Sequence, residues 1–156
     1  MKINGKIEID ENYKLENLMP ACASYSISSN ISLSKSGTFG GTQVPFDTQS
    51  YSYGNIFSLT TGKIYCSRNA IIQVDYTLSN ATQSHYVLLG RNGSYVYIGG
   101  CSPANGIAGS TLAGSFQFEI NANEYITLQL GSPGTYSNKT IFSGSRLSVS
   151  VVRYLN

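Results

Sequence analysis

Four stretches of this chain alternate apolar and polar side chains without a break, and that two-residue period is the tightest constraint on its fold. In residues 70–79, Ile72, Val74, Tyr76 and Leu78 point one way and Gln73, Asp75, Thr77 and Ser79 the other. Phe116, Phe118 and Ile120 oppose Ser115, Gln117 and Glu119 in the same manner. Ile126, Leu128 and Leu130 oppose Tyr125, Thr127 and Gln129, while Leu147, Val149 and Val151 oppose Arg146, Ser148 and Ser150. Segments of this kind are strands with one buried and one wet face. The full set of expected strands is 21–26, 30–34, 42–47, 49–59, 63–66, 70–79, 85–91, 94–99, 111–120, 124–130 and 140–153. "SGTFGG", "TTG", "RNGS", "SPANG" and "GSPGT" supply the turns. Of these, "RNGS" (91–94) is the Asn-Gly hairpin signal. Strands at such short spacing imply a two-sheet sandwich around one filled interior. No helical period competes.

Composition agrees. Only 12% of the 156 residues are charged, and polarity comes from 23 Ser, 11 Thr, 13 Asn and 16 Gly. That mixture suits short strands and turns rather than long helices. The 12 Tyr and 6 Phe give enough aromatic bulk to fill a core. Charge is unevenly placed: residues 1–16 hold Lys2, Lys6, Glu8, Asp10, Glu11, Lys14 and Glu16. This shift, closed by Pro20, marks residues 1–20 as a separate segment and 21–156 as the main domain. The segment is too short to bury its own Ile3, Ile7 and Ile9, so the expectation is that it packs on a surface, either the domain's own body or another protein, with a frayed end as the alternative.

Several classes of function are disfavoured. Net charge is +2 with no run of Lys or Arg, so no basic stripe offers itself to nucleic acid. No apolar run approaches a membrane span, and "MKINGKIEID" lacks the apolar core of a secretory signal. Cys22, Cys66 and Cys101 have no metal-ligand spacing, and small buried thiols are the expectation, with a Cys66–Cys101 pair left open. The sequons at Asn30, Asn80, Asn92 and Asn138 are read as chance matches in an Asn/Ser/Thr-rich chain. His85 is the one histidine, placed in an apolar strand without nucleophile or orienting carboxylate in the pattern. Asp47, Asp75, Glu119 and Glu124 would have to supply any glycosidase pair, yet each reads as solvated surface or turn. The glycine-rich stretch 99–114 opens no helix and is read as a long loop. The expectation is therefore no enzyme, no cofactor and no metal.

The order of motifs resembles the complement globular-head family. "TTGKIYCSRNAIIQV" (60–74) is similar to that family's Thr-Gly-Lys turn, aromatic-Cys and following strand entry. "ACASYS" (21–26), "VPFDT" (44–48), "NIF" (55–57) and "LLGRNGSYV" (88–96) resemble further segments in the same order. "LAGSFQFEINANEYITLQL" (112–130) looks like a long hairpin, and "IFSGSRL" (141–147) like the closing element. Departures are Ala70 for a family Gly, "ANE" (122–124) for a Gly-Asp turn, Ser145 for an aromatic, and no collagen Gly-X-Y stretch. The resemblance implies an all-β, ten-strand jelly roll of the tumour-necrosis-factor type, assembled as a homotrimer. Runs apolar on both faces, at 70–72, 85–89 and 96–98, independently ask for cover on both sides of a sheet. Tyr25, Ile71 and Tyr86 are the expected trimer-interface residues.

Tyrosine is the positive signal for binding, since a phenol offers rigid area with a polar tip to proteins or sugar rings. "SYSYG" (50–54), Tyr86, "SYVYIGG" (94–100) and Tyr136 place such rings on or near loops. Tyr95 and Tyr97, beside the Asn-Gly turn, are the expected ligand-binding pair, with His85 and Arg91 as polar neighbours. The functional expectation is a bacteriophage or prophage virion protein. Residues 1–20 would join other virion proteins, and the trimeric head would bind a saccharide of the bacterial surface. A capsid decoration or spore-coat subunit with no ligand is the alternative reading, and a cytokine-like ligand or an enzyme ranks behind both.

Overall fold

The computed structural model describes residues 2–3, 6–7, 20–36, 40–80, 86–101, 110–132 and 134–155. All regular structure among them is β. β1 (Lys2–Ile3) and β2 (Lys6–Ile7) pair antiparallel as a two-stranded sheet of their own. The main body holds β3 (Cys22–Ser26), β4 (Ile31–Lys35), β5 (Gly41–Gln43), β6 (Thr48–Tyr53) and β7 (Phe57–Thr60). These are followed by β8 (Lys63–Cys66), β9 (Ala70–Asn80), β10 (Tyr86–Arg91), β11 (Ser94–Cys101) and β12 (Ser110–Ile120). β13 (Tyr125–Gly131), β14 (Tyr136–Ile141) and β15 (Arg146–Tyr154) complete the chain.

A six-stranded sheet runs β11-β10-β13-β8-β7, with β5 pairing β13. A seven-stranded sheet runs β4-β14-β9-β15-β3-β6, with β12 on the other side of β9. β4 pairs β14 while β3 pairs β15, so 22–35 and 136–154 are two long strands bent at the same level. Counted as single bent strands, they leave the three-residue β5 as the one addition to the ten strands of the expected jelly roll.

Ser145 holds the bend. Ile27 N donates to Ser145 O and Gly144 N to Ile27 O, each at 3.2 Å. The Ser145 hydroxyl, fully buried, donates to Phe142 O at 2.8 Å and accepts from Ser79 N at 3.0 Å. A position that an aromatic would fill by packing is filled here by hydrogen bonding to β9.

The inward faces are those the alternation names. Ile72, Val74, Tyr76 and Leu78 are buried, as are Ile126, Leu128, Leu130, Leu147, Val149 and Val151. Opposite Tyr76 on β12 stands Gly114, where a β-carbon would meet the phenol ring, so the absent side chain makes room for Tyr76 to stack on Phe116 at 5.6 Å. Tyr25 corrects an expectation. Its side chain is 0% exposed within one subunit, so it belongs to this interior rather than to a surface that another copy could reach. Burial, helped by the neighbouring Cys66 thiol, pushes its phenol up to about 12.

Three further differences have simple causes. The expected strand 49–59 breaks at Gly54 and Asn55, whose φ of 79° and 50° lie in the left-handed region. The expected strand 140–153 breaks at the bend. The 112–130 stretch is not a hairpin: β12 pairs β9 in one sheet and β13 pairs β10 and β8 in the other, so the turn at 121–124 carries the chain across the sandwich. Alternation reads the same for a hairpin and for a crossing arch.

Candidate functional site

The turns at one end of the sandwich are fastened by a polar clasp. Asn92 and Gly93 take φ of 49° and 84°, the pattern of a two-residue hairpin turn, and Arg91 pairs with Ser94 across it. Arg91 reaches from this turn to the crossing arch. Its Nε lies 3.0 Å from Glu124 Oε2, Nη2 donates to Glu124 Oε1 at 3.1 Å, and Nη1 donates to Glu119 O at 2.9 Å. Asn92 Nδ2 donates to Glu124 Oε1 and Asn121 N to Glu124 Oε2, at 2.9 and 2.8 Å. Burial works to raise the Glu124 carboxyl, but hydrogen bonds from Asn121 and Arg91 and the guanidinium charge outweigh it, holding the group below its ordinary value. Arg91 therefore ties the hairpin turn to the crossing arch, with its side chain 32% exposed.

Of the other expected binding residues, Tyr95 is the one whose side chain the structure describes. Tyr95 is 53% exposed, with its hydroxyl 3.4 Å from Gly41 N, so it lies across the outer face of the six-stranded sheet. A register shift between Leu89 and Gly90 sets Gly90 opposite Tyr95 and Leu89 opposite Tyr97. Val96 is the extra residue of this backbone irregularity. The side chain of Tyr97, and all of His85, lie outside the described residues. Of the expected interface residues, Ile71 is half-buried on the outward side of β9, and Tyr86 is half-buried with its hydroxyl donating to Ser132 O at 3.1 Å. Cys66 is a free, buried thiol that donates to Arg68 O, and burial raises it; it makes no bridge to Cys101.

Two clefts flank Ser67. One, about 470 Å³, is lined by Ser58, Thr60, Tyr65, Cys66, Ser67 and Asn123. Nearby, Tyr65 and Tyr125 pack with ring centroids 5.3 Å apart, and Lys63 Nζ sits 4.6 Å from the Tyr125 centroid.

The other cleft, about 480 Å³, is lined by Tyr53, Gly54, Asn55, Ile56, Ser67, Arg68 and Tyr154. A bulge at Val152 builds it. Val151 pairs with Ile72, but Arg153 pairs with Ile71 and Tyr154 with the buried Ala70. The one-residue slip flips the faces, so Tyr154 rather than Arg153 turns inward. Arg68 Cζ then lies 5.5 Å from the Tyr154 ring centroid. Sequence reasoning flagged Tyr53 through "SYSYG" and missed Arg68 and Tyr154. The isolated Arg in "YCSRNA" was the available signal.

Among the described residues no group of three His, Cys, Asp or Glu side chains could hold a metal ion, and no helix is long and apolar enough to cross a membrane.

No family model and no curated protein matches the chain. Solved structures do. A crystal structure of murine APRIL at pH 8.5 is similar with a TM-score of 0.65 at 11% identity, covering 86% of this chain and all of that one. The globular domain of zebrafish complement 1qA matches with a TM-score of 0.65 at 10% identity, covering 88% of this chain and 100% of its own. Eiger TNF from S. frugiperda matches at 0.63 and 10%, covering 88% and 94%. The fold is thus the jelly roll of the tumour-necrosis-factor and complement globular-head type, and at such identities the likeness is one of fold.

Proposed function

We propose that this chain is a trimeric attachment head that binds a saccharide on a bacterial surface, with residues 1–20 docking it onto a phage virion. The observation that carries the reading is the outward face of the seven-stranded sheet. Cys22, Ser24 and Ser26 of β3, Ser148 and Ser150 of β15, and Ile71, Gln73 and Thr77 of β9 give it mostly short or uncharged side chains, with Asp75, Glu119 and Arg146 as charged groups on the same face. Neighbouring hydroxyls already satisfy one another, with Ser148 Oγ 3.3 Å from Ser24 Oγ and Ser26 Oγ 3.1 Å from Ser50 Oγ. A flat sheet of short side chains lets another subunit approach closely, and exposed Tyr51 and Val152, at 56% and 51%, give it apolar anchors. Three heads acting together convert weak sugar contacts into useful avidity. The charged segment before Pro20, whose described strands β1 and β2 pair with each other rather than with either large sheet, is the part assigned to joining a larger particle.

Sedimentation equilibrium at micromolar concentration tests the assembly: the expected mass is three times the 16.8 kDa of the subunit, and a monomer overturns it. An array of bacterial surface polysaccharides tests the ligand. Binding to none of them, and to no whole cells, would leave the non-binding decoration or coat subunit as the better reading.

A further inference from the structure

The geometry points to the cleft between the β6–β7 turn and the end of β15 as a site for a carboxylate-bearing sugar. This rests on the saccharide-binding reading above and gives it a place and a charge. At about 480 Å³ the cleft falls within the range of small-ligand sites. Its lining contains one cation and no carboxylate: Tyr53, Gly54, Asn55, Ile56, Ser67, Arg68 and Tyr154. Among the described residues Arg68 forms no ion pair, in contrast to Arg91, which is spent on Glu124. Arg68 Cζ lies 5.5 Å from the Tyr154 ring centroid, a cation–π contact that keeps the guanidinium beside the cleft, and a guanidinium can take a planar carboxylate with two parallel hydrogen bonds. A lysine could not reproduce that fork.

The walls are held in place before any ligand arrives. Ser67 N donates to Ile56 O at 2.9 Å, and Leu155 N donates to Asn69 O at 2.9 Å, so the Arg68 loop is tied on both sides. Gly54 and Asn55 both have positive φ, and a β-carbon on Gly54 would lie 2.6 Å from Ala21 Cβ, which fixes the turn against the body. Asn55 and Ser67 offer short polar side chains for sugar hydroxyls, and the tyrosine rings offer apolar area for the faces of a pyranose. The cleft also lies where edge strands β6 and β7 meet, away from the edge formed by β11 and β12.

Binding of the full chain is measured by biolayer interferometry on immobilised hyaluronan and polysialic acid, on their carboxyl-reduced forms, on dextran sulfate, and on neutral dextran and mannan. The expected result is binding to the two carboxylate polymers, lost on carboxyl reduction. Arg68→Ala should weaken it at least tenfold, and Arg68→Lys should recover only part, with the melting temperature unchanged. Equal binding to dextran sulfate would mean a general polyanion surface and overturn the sugar assignment. Unchanged affinity in Arg68→Ala would overturn the site, as would a loss of melting temperature without a loss of affinity, since Arg68 would then only brace Tyr154. Binding to the neutral polymers alone overturns this inference while the saccharide-binding head stands. Binding to no polymer here, together with an empty polysaccharide array, overturns both.

Discussion

Ser145 illustrates how one small side chain can hold a bend that the hydrophobic pattern does not specify. Its hydroxyl gives a hydrogen bond to Phe142 O and takes one from Ser79 N, all inside the bend where both long strands change direction. Removing it leaves a buried amide without an acceptor, a loss that costs about 1–3 kcal/mol. Ser145→Ala is expected to destabilise by that amount, a fall in melting temperature of about 2–4 °C per kcal/mol for a chain of this length. Calorimetry on the variant checks it, and an unchanged transition would mean that packing alone sets the bend. Tyr25 teaches the complementary lesson. Alternation in "ACASYS" puts Ala21, Ala23 and Tyr25 on one side, but it does not say whether that side meets the partner sheet or a partner subunit. Its full burial in the single subunit settles the matter.

The clasp between the β10–β11 turn and the β12–β13 arch makes a distinct demand on pH. Glu124 has an ordinary value of 4.5, and the folded clasp holds it lower. A depressed carboxylate contributes stability that is fully present above its unfolded value and is lost as pH falls through the folded value. Asp47, lowered by hydrogen bonds from Ser28 and Thr48, adds to the same trend. Denaturant midpoints should therefore drop below pH 4.5, and Glu124→Gln should flatten that drop while costing about 1–3 kcal/mol at pH 7 through its weakened bonds to Arg91 and Asn121. If the variant kept the wild-type acid profile, the clasp would not be the titrating element. Much at this scale was readable beforehand: inward residues from the two-residue period, and the Asn92–Gly93 turn from its residue types. The arch and the bulges were not. A chain that crosses between sheets carries the same alternation as one that turns back within a sheet. The slip at Val152 adds one residue to a run that still looks regular, yet it decides that Tyr154 and not Arg153 turns toward the cleft. Arg68 and Tyr154 are also 86 positions apart by their numbering, so no local pattern could have joined them.

For the whole molecule, the proposed division between residues 1–20 and the sandwich agrees with the pairing of the described strands. β1 and β2 pair with each other, and neither joins the six-stranded or the seven-stranded sheet. Ala21 is fully buried in the body, and its carbonyl accepts from Val151 N at 2.8 Å. β3 begins at the next position, and its partners β15 and β6 come from residues 48 onward. Among the described residues, deleting 1–20 removes no strand of either large sheet, whereas a cut after Ala21 would take away both the buried methyl group and the Val151 acceptor. A chain of residues 21–156 is expected to melt within about 2 °C of the full chain, since surface segments away from the core usually contribute little. It should also keep its three-subunit assembly by sedimentation and, under the proposed docking role, lose only its attachment to the larger particle. A truncated chain that melts far below the full one would show the segment to be a missing piece of the fold, and the docking role given to residues 1–20 would have to be abandoned.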